Sequence, residues 1–255
     1  DPSDIKSIQL LGTILYNKKE YDKSLTYFEK YIAIDKDNVD VWKILRNLYD
    51  MNSNAEMLYE TYSNLHRLVP DEPEYLLELG QAYAKKNDIA KATEILSQYI
   101  ANNPDDYRGY RYLGLIYMID GKYSEATSNL QKAIEIAPDN ANLYCELATV
   151  GVESGNVGAA RRCLSNAKKL NETIARIHIV EGNIIAKEAY NMLPADGTLD
   201  YCTKLKYETA YDTYKKALGD ERWGATAQRL MNGIKDYRPT SEEKAAWKFL
   251  GKSCE

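Results

Sequence analysis

Six residues have side chains suited to nucleophilic, redox or metal chemistry: Cys145, Cys163, Cys202, Cys254, His66 and His178. Zinc sites and redox dithiols place cysteines a few residues apart, whereas these cysteines are widely scattered. Neither histidine has a ligand or nucleophile beside it. No glycine-rich phosphate loop and no hydrolytic triad is visible. The sequence therefore predicts no catalytic residue, no metal and no cofactor, and a chain that is not an enzyme.

Charge and hydropathy narrow the partners. The 255 residues are 44% apolar and 28% charged, as expected of a chain with a real core. The net charge is −5 and basic residues never run longer than two, which argues against nucleic acid. No apolar stretch approaches the roughly 18 residues of a membrane span, so no membrane insertion is expected. Tyrosine outnumbers phenylalanine 22 to 2, which suits half-buried surface, because the ring packs while the hydroxyl stays wet. The first residue is Asp, in "DPSD", so the sequence reads as starting at a processed end or inside a longer chain.

The dominant signal is repetition. "LLELGQAYAKKNDIAKATEILSQYIANNPDD" at 76–106 is echoed 34 residues later by "YRYLGLIYMIDGKYSEATSNLQKAIEIAPDN" at 110–140. Leu79-Gly80 falls on Leu113-Gly114, Tyr83 on Tyr117, Ala92 on Ala126, Leu96 on Leu130 and Pro104 on Pro138. The same frame extends back through Trp42, Leu45 and Tyr49 to Leu11-Gly12, Ser24 and Phe28. Forward, it reaches Tyr144, Leu147-Ala148, Ala160 and Leu164. Each unit reads as two amphipathic helices that cross where a small residue lets the backbones approach. One unit cannot bury its own apolar face, so units must stack.

This pattern resembles the tetratricopeptide repeat family. The resemblance covers residues 5–174 as five repeats, 5–38, 39–72, 73–106, 107–140 and 141–174. The second departs most, with Arg46 and Leu58 where the family has small residues. It implies an all-α, right-handed superhelical solenoid of antiparallel helix pairs, about six repeats plus C-terminal helices. The sixth repeat, 175–221, has 16 extra residues between Gly182 and Ala210. They are read as a hairpin arm, each helix longer by about two turns, turning at "LPADGT". Residues 222–255 are read as C-terminal capping helices, with Thr240 and Glu243 at capping-box spacing. No such cap precedes the first repeat, so its outer face is expected to be covered by upstream chain or by another element.

The resemblance places a concave groove on the first helix of each repeat, at positions two, five, six, nine, twelve and thirteen. Of those positions, Lys43, Asn47, Leu77, Arg108, Arg111, Tyr112, Leu115 and Met118 are the candidate partner-binding residues. Tyr112, Leu115 and Met118 are apolar where a solvated helix would be charged, and apolar clusters beside arginine mark binding surface. Burial by neighbouring helices is the alternative. Some members of the family grip the C-terminal carboxylate of heat-shock chaperones with Lys, Asn, Asn, Lys and Arg. Lys43, Asn47 and Arg108 fit that pattern, but Glu78 and Tyr112 break it, so this ligand is not expected.

Cys145 and Cys163 fall on facing positions of one helix pair, so a disulfide there is geometrically open; two reduced small residues are the alternative. Cys202 and Cys254 could pair only if the tail folds back toward the arm. A bridge would place the chain in a periplasm or another extracytoplasmic compartment, with the cytoplasm as the alternative. His178 sits at a core position, while His66 reads as surface. The function implied is a non-catalytic scaffold that binds a peptide segment or helix of a protein partner, with the 187–205 arm as a second surface for a partner or for self-association. The alternative is an accessory domain of a larger cell-envelope or enzymatic protein.

Overall fold

The computed structural model describes residues 4–250 and 254, and among these every regular element is a helix. The first pairs are α1 (Ile5–Asn17) with α2 (Tyr21–Ile34), α3 (Val39–Met51) with α4 (Ala55–Leu68), and α5 (Pro73–Lys85) with α6 (Ile89–Asn102). Next come α7 (Tyr107–Ile119) and α8 (Tyr123–Ile136), then α9 (Ala141–Glu153) and α10 (Val157–Leu170). The longer α11 (Ala175–Asn191) and α12 (Tyr201–Lys215) follow, then α13 (Gly224–Ile234), a 3-10 turn at Lys235–Tyr237, and α14 (Ser241–Phe249). The chain forms two compact units, one up to Ile116 and one from Tyr117.

The pairs form for reasons visible in their residues. In α3, Val41, Trp42, Leu45, Leu48 and Tyr49 are buried, a stripe at helical spacing. Small residues set the crossings. A Cβ on Gly80 would lie 2.7 Å from Leu96 Cγ, and one on Gly12 3.1 Å from the Phe28 ring. The buried Ser24 hydroxyl donates to the Gly12 carbonyl at 2.9 Å. Asn54, Asp88 and Asn156 cap α4, α6 and α10 by accepting from the third backbone N–H of each helix.

Each unit has its own core. In the first, Phe28, Trp42, Leu45, Tyr49 and Leu65 join one cluster. In the second, Cys145, Ala160, Ile177 and Ile184 gather α9, α10 and α11, while Ala210, Tyr214, Ala227 and Met231 gather α12 and α13. The outer face of α1 differs from its counterparts. Leu45 and Leu48 are fully buried, but Leu11 and Ile14, at the same repeat positions, are 44% and 40% exposed.

Two expectations need correction. The inserted residues do not lengthen both helices by two turns. Instead α11 runs nine residues past Gly182, against five past Gly80 in α5, and α12 starts nine before Ala210, against three before Ala92 in α6. The remainder forms a longer connection, in which Asp196 accepts from the backbone and hydroxyl of Thr198; Pro194 and Gly197, with φ of +72°, resist helix there. His66 is half-buried, its Nδ1 enclosed without a hydrogen-bond partner among the described residues. Of the two pairings the sequence leaves open, the structure has the one that needs the tail to fold back: Cys202 is bridged to Cys254, with Cα atoms 5.5 Å apart, and Cys145 and Cys163 are thiols.

Candidate protein-binding face

The predicted contact residues lie on the first helices of successive pairs, and the structure treats them unequally. On α3, Lys43 and Asn47 are exposed, together with Asp50 and Met51. The Asn47 side-chain carbonyl accepts from Arg46 Nε at 3.3 Å and Nη2 at 3.0 Å, which leaves its amide free to donate outward. On α5, Leu77 does not face solvent: it is 1% exposed. It continues the apolar run with Tyr75, Leu76 and Leu79, and burying a leucine stabilises by about 2 kcal/mol.

On α7, Arg108 is not available as a free anion clamp. Its guanidinium donates to Glu74 at 2.8 Å, to both oxygens of Asp106 and to the Tyr99 hydroxyl. Its pKa is raised, chiefly by the hydrogen bond to Asp106. Burial pushes the Asp106 carboxyl up, but the bonds from Arg108 and Tyr99 outweigh it and hold the net value low. Arg111 lies over the Tyr112 ring at 5.0 Å, and both are half-buried. Leu115 is half-buried as well. Met118 packs in the second unit beside the core of Ala126, Leu130 and Val150, whereas Ile119 next to it is 67% exposed.

A site outside the candidate contact residues read from the sequence lies between α3, α4 and α5. Asp50, Leu58, Tyr62, Glu78, Gln81 and Lys85 line a cavity of about 50 Å³. Burial, then the neighbouring Glu74, raises the Glu78 pKa, while Lys85, Arg46 and a hydrogen bond with Tyr62 act the other way. Burial, with the charge of Glu78, pushes the Tyr62 hydroxyl up to about 12. Tyr62 escaped selection because it sits on a second helix, which the pattern assigned to the opposite face. The signal was present in Arg46 and Leu58, large residues where a repeat normally has small ones.

The arrangement offers hydrogen-bond donors, half-buried tyrosines and acids beside cations. It brings no nucleophile next to a base. Among the described residues, no three of His, Cys, Asp and Glu gather as metal ligands would, and no helix is long and apolar enough to cross a membrane. Glu78 leaves a carboxylate clamp with an anion at its centre.

Antiparallel helix pairs crossing at small residues and following each other in sequence define a helical-repeat protein. Tetratricopeptide-repeat family models match residues 5–38 and 74–106, and a TPR-repeat model matches 114–155. The chain belongs to the tetratricopeptide-repeat family. A tetratricopeptide repeat protein from Parabacteroides merdae superposes with a TM-score of 0.67 at 17% identity, covering 92% of this chain and 86% of that one. YrrB, described as a TPR protein with an unusual peptide-binding site, superposes at 0.56 with 15% identity, covering 71% of this chain and 93% of its own. The Drosophila melanogaster BBSome complex member BBS4 homolog is 23% identical over 68% of this chain. The DnaJ homolog subfamily C member 7 homolog of Schizosaccharomyces pombe is 24% identical over 60%. The chain spans 36% of the length of each of these two relatives.

Proposed function

We propose that the chain is a non-catalytic scaffold that binds an extended segment or helix of a protein partner along the first-helix face of α3, α5 and α7. The observation that carries this reading is a run of exposed or half-buried side chains at groove positions: Lys43, Asn47, Glu78, Arg111, Tyr112 and Leu115. Their chemistry suits a polar backbone with one or two aromatic or aliphatic anchors. Asn47 serves as a backbone donor, Tyr112 as a rigid ring, and Glu78 with Tyr62 as a recess for a neutral or cationic group. The coverage of YrrB, whose description names a peptide-binding site, adds support at the level of fold. The Cys202–Cys254 bridge favours an oxidising, extracytoplasmic setting. Tyr190 and Met192, 61% and 42% exposed at the end of α11, support the arm as a second surface.

The test is affinity capture from the native host's extract with the wild type and with the Arg111→Glu/Tyr112→Ala double variant, its helicity checked by circular dichroism. A partner retained by the wild type and lost by the folded variant is the expected result. A partner held equally by both contradicts this face.

A further inference from the structure

The C-terminal tail lies back along α12, with later tail residues meeting earlier residues of the helix. Arg238 covers the Tyr211 ring at 3.7 Å. Tyr237 meets Tyr207 with centroids 5.2 Å apart. Glu243 pairs with Lys204 and Lys244 with Glu208. Trp247 stacks on Tyr201 at 4.4 Å and 16°. The sulfur bond from Cys254 to Cys202 ties the end down. Together these contacts cover a tyrosine-rich side of α12 with the end of the 3-10 turn, Arg238 and α14.

The short helix depends on this docking. α14 has nine residues, below the length at which an isolated helix holds together in water. Glu243 serves twice, closing the capping box with Thr240 and pairing with Lys204, so its helical and docking roles are coupled. Among the described residues beyond Trp247 no apolar side chain is buried: Phe249 is 90% exposed and Leu250 59%. The disulfide is what fastens that end, and Cys254 is exposed while Cys202 is half-buried. Exposed disulfides are the labile ones. The other two cysteines stay out of the exchange. Burial pushes the Cys145 thiol up to about 11 and raises that of Cys163 too, which starves both of thiolate at neutral pH.

We propose that residues 237–250 together with Cys254 form a removable strap, released by thiol–disulfide exchange at Cys202–Cys254. Release bares the Tyr201, Tyr207 and Tyr211 side of α12 for a partner helix that carries the strap's own pattern of acid, base and aromatic, Glu243, Lys244 and Trp247. The strap itself shows what this face accepts. A dithiol supplies the electrons. Its thiolate attacks the exposed Cys254 sulfur and Cys202 departs as a thiolate that takes up a proton. The second thiol of the reagent then displaces Cys254, which takes up the second proton. The reagent ends as a disulfide, and two electrons and two protons have passed to the protein.

The experiment uses the full chain purified from an oxidising medium, with the bridge mapped by non-reducing peptide mass analysis. Hydrogen exchange is measured before and after dithiothreitol. A fluorescent peptide of residues 237–250 is titrated by anisotropy into both forms and into a Glu243→Ala/Trp247→Ala/Cys254→Ser variant, whose own strap cannot compete. The proposal expects three results: protection of α14 lost on reduction with α11 and α13 unchanged, no peptide binding to the oxidised chain, and binding to the variant. It is overturned if Cys202 and Cys254 are found unpaired or if α14 stays protected after reduction. It is overturned equally if the peptide fails to bind the variant while circular dichroism shows that variant folded. None of these readouts involves the α3, α5 and α7 face, so its failure and the failure of the scaffold reading are separable.

Discussion

Two arginines occupy the second position of their helix pairs, and each reaches a glutamate of the preceding pair. In the first unit Arg108 donates to Glu74 at 2.8 Å, with the two side chains 37% and 42% exposed. In the second, Arg176 donates to Glu146 at 2.9 Å, with the side chains 16% and 0% exposed. The sequence position and the chemistry match, but the surroundings do not. Water screens the first bridge, whereas the second neutralises a carboxylate enclosed by α9 and α11, with Trp223 stacked on the guanidinium at 5.1 Å. A groove position in this chain is therefore a surface position only where the neighbouring helices leave it open. Arg108 and Glu74 stay partly open to solvent, while Arg176 and Glu146 belong to the fabric of their unit.

Arg176→Ala breaks this comparison most forcefully. It removes a cation that neutralises the buried carboxylate and is expected to cost up to about 3–5 kcal/mol in the transition of the second unit, measured by urea denaturation. Arg108→Ala should cost at most about 1 kcal/mol in the first. Equal costs would show that the two bridges are energetically alike.

The helix crossings sharpen the contrast at the next scale. A Cβ at Gly182 would lie 2.3 Å from the Tyr214 ring, which is buried and held by a hydrogen bond to Asn183 at 2.9 Å. Gly182→Ala is therefore expected to destabilise by about 1–3 kcal/mol. Gly80→Ala meets an aliphatic side chain, Leu96, that can readjust. It also gains about 1 kcal/mol of helix propensity, so its net cost should be smaller. Thermal unfolding of the two variants decides the order.

The smallest effect concerns Glu78. Its folded pKa is raised, first by burial and then by Glu74. The folded state thus holds the proton more tightly than the unfolded chain, and stability falls as pH rises through the raised value. Glu78→Gln should accordingly stabilise the first unit slightly at neutral pH. The gain should vanish below the ordinary carboxylate range, where both side chains are neutral. A melting-temperature series against pH reads this directly, and a variant less stable at pH 7 would contradict the sign.

Much of the fold was legible because a repeat states its packing several times over. Leu79-Gly80 with Ala92 and Leu96 declares a helix crossing, and Leu11-Gly12 with Ser24 and Phe28 declares it again. The binding face was less legible. Groove positions were assigned by register alone, yet Leu77 turns inward with Leu76 and Leu79, and Met118 joins the packing around Ala126 and Leu130. Tyr62 reaches the face from a second helix, which no period marks. The tail was least legible. Cys202 and Cys254 are 52 residues apart, and their pairing depends on contacts such as Trp247 on Tyr201 that no repeat announces. Facing register alone did not join Cys145 to Cys163, since the oppositely placed thiols are held as packed core residues.

The central claim is that the α3, α5 and α7 face holds the partner. The most direct test is photo-crosslinking in the native host with a benzophenone amino acid placed singly at Asn47 and at Tyr112, and at the exposed second-helix positions Gln98 and Ser128 as controls. The account predicts a common protein adduct at Asn47 and Tyr112 and none at the two controls. Adducts at Gln98 or Ser128 with none at Asn47 and Tyr112 would contradict it and move the binding surface to the second helices.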